Sequence, residues 1–339
     1  MFQAVMTTPG VIEYNSISIP EPNESQVLIK VSRIGICGSD IHVFHGKHPF
    51  TSYPVVQGHE VSGEVIKTGG GVNGFNSGDI ITVQPQVVCN HCYSCRNGRY
   101  NICDNLKVMG FQTTGLASEY AVIDADKLLK LPQDIDLDKG ALIEPVAVAV
   151  HAVRKAENIK GKKVLVLGAG PIGNLVAQVA KGMGAATVMI TDVSNHRLDI
   201  AMVCGIEHCI NTLKENLSCS ISDIFGFDKA DVIFECVGLT ATIQQAVENA
   251  RKGSEIVVVG VFGDKAEIDF GLIQDRELYI MGTLMYTRSD FDKAIELVSN
   301  GRIRLEPLIS RHFKFEEYID AYRYIEEHKD RVMKVIIEL

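Results

Sequence analysis

Short alternating apolar runs dominate the first 140 residues. In QVLIKVSRIGI (26–36), VSGEVIKTGGGVNGFNSGDIITV (61–83) and ASEYAVIDADKLLKLP (117–132), alternating or β-branched stretches are bounded by Gly, Asn and Pro. These are strand-and-turn signals, and their density predicts a β-rich Greek-key barrel rather than a βαβ unit. The period changes near residue 141, where ALIEPVAVAVHAVRKAEN takes up helical spacing and runs into a boundary at Lys160 and Gly161. From Lys162, strand-length and helix-length segments alternate: KVLVLG, PIGNLVAQVAKGMG, TVMITD, HRLDIAMVCG, DVIFECVG, TIQQAVENARKG, EIVVVGVFG and LYIMGTLM. Apolar strands each followed by a helix predict a parallel sheet covered on both faces, a doubly wound α/β domain. After Met285, SDFDKAIELVSNGRI reads as a helix, and residues 312–339 as a helix followed by a terminal strand.

Length agrees with two domains, since 339 residues divided by about 150 per domain gives about two. The net charge of -9 argues against nucleic acid or an anionic membrane as partner, because an acidic surface repels phosphate. A small molecule is the better expectation. Nine cysteines, four of them between Cys89 and Cys103, suit metal ligation better than a secreted disulfide framework. The N-terminal stretch shows no basic segment followed by an apolar one, so a cytoplasmic protein is expected.

Gly168-Ala169-Gly170-Pro171-Ile172-Gly173 follows the strand KVLVLG and opens a helix. Gly168 permits the tight turn, Gly170 lets backbone approach a pyrophosphate, and Gly173 lets the helix close on the sheet. Pro171 and Ile172 begin the helix, whose N-terminus supplies NH donors and a positive dipole. Asp192 closes the next strand, about 20 residues on, where ribose hydroxyls of a dinucleotide would lie. Its carboxylate favours NAD(H) over NADP(H), and Arg197 is placed either to stack on adenine or to pair with a phosphate.

Cys89, Cys92, Cys95 and Cys103 have the spacing C-x2-C-x2-C-x7-C. Four thiolates on a short loop satisfy Zn2+ without an open position, a structural site, and the spacing departs from the ferredoxin pattern. A second, dispersed set comprises Cys37, His59, Glu60 and Glu144. Cys, His and carboxylate ligands leave room for water or a substrate oxygen, as a catalytic zinc requires.

The stretches Cys37-Gly38-Ser39-Asp40 and Gly58-His59-Glu60-x2-Gly63, the four-cysteine lobe and the glycine loop occur in this order along the chain. Together they resemble the zinc-dependent medium-chain alcohol dehydrogenases across essentially the whole length. YPVVQGHEVSGEV, VVCNHCYSCRNGRYNIC and ALIEPVAVAVHAV are similar to the polyol and sugar-acid subgroup, including the L-gulonate or L-galactonate 5-dehydrogenase type. The resemblance implies a Rossmann NAD-binding domain, residues 147–286, inserted in a GroES-like catalytic domain, residues 1–146 plus 287–339. It implies two Zn2+ per chain and a homodimer or homotetramer, with EIVVVGVFG and LYIMGTLM as strands that could pair across a dimer edge.

The same resemblance assigns Cys37, His59 and Glu144 as ligands of the catalytic zinc. Glu60 becomes either an exchanging ligand or a neighbour of the ligands, and Asp40 a group that fixes the ligand histidine. Ser39 would bond the substrate oxygen and His42 would be the outer member of a proton relay. The expected reaction is NAD-linked oxidation of a secondary alcohol, with an aldonate of five or six carbons ahead of a neutral polyol such as sorbitol or galactitol phosphate. Threonine-type or general alcohol dehydrogenase activity and a non-enzymatic NAD-binding regulator remain open. The loop from Gly110 to Tyr120 departs from sugar-acid members, with Gln112 and Thr114 where they carry His and Asp. Arg288, His45, Lys47 and His48 are the candidate cations for a substrate carboxylate.

Overall fold

A computed structural model describes all residues from Met1 to Leu339. The chain forms two compact units, one of Met1–Glu144 with Ile309–Leu339 and one of Pro145–Leu308.

The first unit is built on a seven-stranded, largely antiparallel sheet. Its strands run in the order Ile309–Lys314, Lys334–Glu338, Gln26–Gly35, Glu60–Thr68, Ile80–Val83 and Leu128–Lys130, with Tyr120–Asp124 also paired to Gln26–Gly35. Val27, Ile29, Val31 and Ile34 of the long central strand are fully buried, as are Val61, Val65, Val335 and Ile337 of its neighbours. Each such side chain contributes about 1.5–3 kcal/mol on burial. That apolar frame offsets the several kcal/mol per ion that the buried charges described below would otherwise cost. Register sets Gly35 opposite Glu60, and a Cβ at position 35 would lie 2.3 Å from Glu60 Oε2. Glycine there makes room for the carboxylate.

The second unit holds six parallel strands in the spatial order His208–Asn211, Thr187–Asp192, Lys163–Leu167, Val232–Glu235, Glu255–Val258 and Tyr279–Gly282. This is the 3-2-1-4-5-6 order of a dinucleotide fold, with its switch point between Lys163–Leu167 and Val232–Glu235. Leu165, Leu167, Met189, Ile233 and Ile256 are fully buried in it.

The chain re-enters the first unit at Ile309, later than the residue 287 expected from the sequence. Side-chain chemistry explains the difference. Asp290 of the helix Arg288–Ser299 accepts hydrogen bonds from His151 Nδ1 at 2.9 Å and Arg154 Nη1 at 2.7 Å, both on the helix Ile143–Lys155. Gln178 then holds Arg304 by two bonds, Arg304 N to Gln178 Oε1 at 2.7 Å and Gln178 Nε2 to Arg304 O at 3.1 Å. Residues 287–308 are therefore tied to the nucleotide-type unit. A second correction concerns the edge: of the two strands expected at a dimer edge, Glu255–Val258 is paired on both sides and Tyr279–Gly282 alone lies at an end of the sheet, the other end being His208–Asn211.

Candidate active site and metal centres

The glycine loop leaves the strand Lys163–Leu167 at Gly168, whose φ of +98° lies where side chains are disfavoured. Gly170 is the N-cap and Pro171 the first residue of the helix Pro171–Gly182, the position where a missing NH costs least. A Cβ on Gly173 would sit 1.9 Å from Gly168 O, whereas one on Gly170 would meet nothing within 4 Å. Space is thus kept at Gly170 on the side facing away from the protein. Asp192 Oδ2 accepts from Ala169 N and Oδ1 from Ser194 N, each at 2.8 Å, and Arg197 Nη1 stands 3.9 Å away. Arg197 is therefore oriented by Asp192. A residue the motif did not announce, buried Glu235, closes the switch point: its Oε1 accepts from Val237 N, Gly238 N and Thr242 Oγ1 at 2.7–2.9 Å.

In the first unit, the sulfurs of Cys89, Cys92, Cys95 and Cys103 lie within 4.8 Å of one another. Cys103 Sγ is 3.5 Å from Cys89 Sγ and 4.0 Å from Cys92 Sγ. A tetrahedron with Zn–S bonds of about 2.3 Å has edges of about 3.8 Å, so the sulfurs fit that ion. Their acidities are split, with backbone NH groups, that of His91 first, drawing Cys89 down to about 6 while burial and neighbouring thiols push Cys95 up to about 12. Such crowding favours a cation that lets all four ionise.

Cys37, His59 and Glu60 form the second group, each offering a ligand atom within 4.8 Å of the others. Cys37 is the N-cap of the helix Gly38–Phe44, and its NH donates to Asp40 Oδ2 at 2.9 Å in a capping box. His59 lies beside the start of the strand Glu60–Thr68 and Asp40 Oδ1 is 3.6 Å from its Nδ1. Burial opposes a charge on His59, but Asp40, Cys37 and Glu144 outweigh it and raise the ring to about 10. Carboxylates and a thiol thus surround His59, whose Nδ1 faces Asp40, and Glu60 Oε2 is buried without a hydrogen bond. A divalent cation fits this donor set.

Glu144 lies outside the 4.8 Å set. It occupies the first turn of the helix Ile143–Lys155, buried, and acts on His59 and Lys334 through its charge. Ser39 and His42 are three residues apart on one helix and so share a face, Ser39 half-buried and His42 exposed.

Four residues with no motif complete the site. Lys334 Nζ donates to Glu60 Oε1. Gln57 and Tyr322 hold Asp40 from behind, and Phe111 lies with its ring centre 4.9 Å from that of His59. Phe111, not Gln112, is the loop's contribution, because Gln112 Oε1 folds back to accept from Val108 N at 2.9 Å. Position in a loop was the only signal for it.

Both units are similar to known dehydrogenases. The profile of the alcohol dehydrogenase GroES-like domain matches residues 23–133, and that of the zinc-binding dehydrogenases matches residues 171–300. The chain is 38% identical to 2-dehydro-3-deoxy-L-galactonate 5-dehydrogenase of Pseudoalteromonas atlantica, covering 89% of this chain and 87% of that protein. It is 36% identical to sorbitol dehydrogenase of Halalkalibacterium halodurans, covering 90% of each. Its fold is similar to that of a solved alcohol dehydrogenase from E. coli CFT073 complexed with NADH, with TM-score 0.92, 31% identity and coverage of 100% and 99%. The chain belongs to the zinc-dependent medium-chain alcohol dehydrogenase family. It is an oxidoreductase, and falls with the polyol and sugar-acid dehydrogenases of that family.

Proposed function

We propose that this dehydrogenase oxidises a secondary hydroxyl of a sugar acid with NAD+, L-gulonate or L-galactonate at C5 being converted to the 5-keto acid. The convergence of Cys37, His59 and Glu60 within 4.8 Å carries the reading of the reacting centre. The substrate class is supported by the similarity to a galactonate-type 5-dehydrogenase.

Cys37, His59 and Glu60, with Glu144 alongside, would hold the zinc of the reacting centre, and Cys89, Cys92, Cys95 and Cys103 the structural one. Zinc supplies a Lewis acid that makes the hydroxyl acidic near neutral pH, and NAD+ is the hydride acceptor. As Ser39 accepts the hydroxyl proton it would give up its own toward His42 on the same helix face, and exposed His42 would release a proton to water. Gly168, Gly170, Pro171, Ile172 and Gly173 present the helix N-terminus to the pyrophosphate. Asp192, with Arg197 beside it, favours the ribose diol of NAD+ over a 2′-phosphate.

Among the candidate cations, His45 is paired with Glu326 at 2.5 Å and Arg288 with Asp292 at 4.0 Å. His48 is different: its ring stacks on Phe111 with centres 4.7 Å apart, one ring away from His59. Burial, then the nearby His42 and His59, lowers its pKa, so it offers a neutral hydrogen-bonding group.

The free edge strand Tyr279–Gly282, with Tyr279 63% exposed, supports a homodimer in which two parallel sheets join edge to edge.

Zinc content together with NAD+ and NADP+ reduction over hexonates, sorbitol, galactitol phosphate, threonine and simple alcohols tests this reading. Two zincs per chain and NAD+-linked turnover confined to hexonates are expected. Turnover of sorbitol or threonine with no activity on hexonates would replace the substrate, and one zinc without turnover would remove the enzyme reading of the site.

A further inference from the structure

The segment Ile309–Leu339 returns to the first unit late in the chain and delivers two polar side chains to the reacting centre, Lys334 and Tyr322. Tyr322 is fully buried on the helix Tyr318–Glu327, its ring stacked on Phe44 at 4.7 Å between centres and 4° between planes. Its hydroxyl donates to Gln57 Oε1 at 2.8 Å, and Gln57 Nε2 donates to Asp40 Oδ1 at 3.0 Å. Asp40 in turn accepts from Cys37 N and faces His59 Nδ1. The direction of this chain follows from the donors: the Gln57 NH2 faces Asp40 Oδ1 and can only donate, which leaves the Gln57 oxygen to accept from the Tyr322 hydroxyl. Gln57, Asp40 and Tyr322 are all buried, where a lost partner is not replaced by water.

We propose that Tyr322 is a positioning residue for the metal centre, acting through Gln57 to fix the Asp40 carboxylate that orients both Cys37 and His59. This rests on the reading of Cys37, His59 and Glu60 as a zinc site. Without the Tyr322 hydroxyl, Gln57 is free to rotate toward another partner and Asp40 loses a directed donor. Partners of metal ligands change metal affinity by about 10–100-fold when removed. Tyr322 stands two hydrogen bonds from the Asp40 carboxylate, which in turn faces the ligand His59, so the lower end of that range is expected.

Competition for zinc with a chromogenic chelator tests the proposal on the full-length protein, with Cys37→Ser used to assign the equivalent that belongs to this centre. Tyr322→Phe should weaken that equivalent about tenfold and leave the four-cysteine equivalent unchanged. Gln57→Met should weaken it at least as much, and the double variant should match Gln57→Met alone, because Tyr322 acts only through Gln57. Tyr286→Phe, a fully buried tyrosine of the second unit, should leave both equivalents unchanged. Retention of wild-type affinity by Tyr322→Phe, additive losses, or an equal loss in Tyr286→Phe would overturn the role of Tyr322 while leaving the zinc site standing. A wild-type protein that binds one zinc would overturn the zinc site itself, and this role with it.

Discussion

Lys334 Nζ donates to Glu60 Oε1 inside the first unit, and the two side chains are 4% and 1% exposed. Glu60 begins a strand paired with Gly35, and Ile336, two residues after Lys334, pairs with the same glycine. The central strand thus holds the carboxylate level with Gly35 on one side and the strand that carries the cation on the other. One charged group of the candidate metal centre is held by a strand that the chain adds last.

Removing Lys334 leaves a buried carboxylate without its counter-charge, a change that costs about 3–5 kcal/mol when a buried pair is broken. Lys334→Met should therefore lower the denaturant midpoint strongly. Lys334→Met with Glu60→Gln should recover most of the loss, since the unpaired charge is gone. Equal midpoints for the single and double variants would show that packing, not charge, sets the cost.

The two glycines of the nucleotide loop should separate folding from binding. Gly173→Ala drives a methyl to 1.9 Å from Gly168 O, overpacking that costs about 1–3 kcal/mol or more. Gly170→Ala meets nothing within 4 Å in the protein, and its φ of -64° suits alanine. Its stability should hold within about 1 kcal/mol, the usual cost of alanine at an N-cap. Binding of NADH, followed by fluorescence titration, should nevertheless weaken at least about tenfold, because the pyrophosphate needs the space a methyl would fill.

Acid stability should carry the signature of Asp290. Burial raises its pKa, but bonds from His151 and Thr287 outweigh burial and bring it down to about 2 from 3.8. A folded pKa below the unfolded one means folding favours the ionised form. The resulting stability is complete above 3.8 and disappears as pH falls through about 2; its size is about 2 kcal/mol. Urea unfolding at about pH 5 and about pH 2.5 should show Asp290→Asn losing this increment at the higher pH and matching wild type more closely at the lower. A constant difference at both would exclude this linkage.

His48 should matter to long substrates only. Its Nδ1 is bonded to Thr51 Oγ1 at 2.7 Å and its ring lies on Phe111, so in the proposed reaction it would meet the far end of a hexonate. His48→Ala should raise KM for a hexonate about tenfold, equivalent to one hydrogen bond of about 1.4 kcal/mol, with a smaller change in kcat. Steady-state kinetics on a hexonate and on a short secondary alcohol checks this, and equal changes for both would take His48 out of substrate recognition.

Features whose partners are close in sequence were legible without the fold. Cys89 to Cys103 span one loop, and Gly168 to Gly173 one turn, so spacing alone carries their chemistry. Cys37, His59 and Glu60 could be named from their local motifs, and the alternation of strands and helices announced the parallel sheet. What spacing could not decide was which distant side chains meet. Lys334 looks like a surface lysine at a strand start, and Tyr322 like one more core aromatic on an amphipathic helix. They become parts of the site only because strand register and helix packing bring them to Glu60 and Gln57, 274 and 265 residues away. The late return at Ile309 has the same origin: a helix at 288–299 has the same pattern in either unit, and only the bonds of Asp290 to His151 and Arg154 decide where it belongs. Local spacing determined the chemistry this chain carries, while long-range pairing in the folded chain decided which groups hold that chemistry in place.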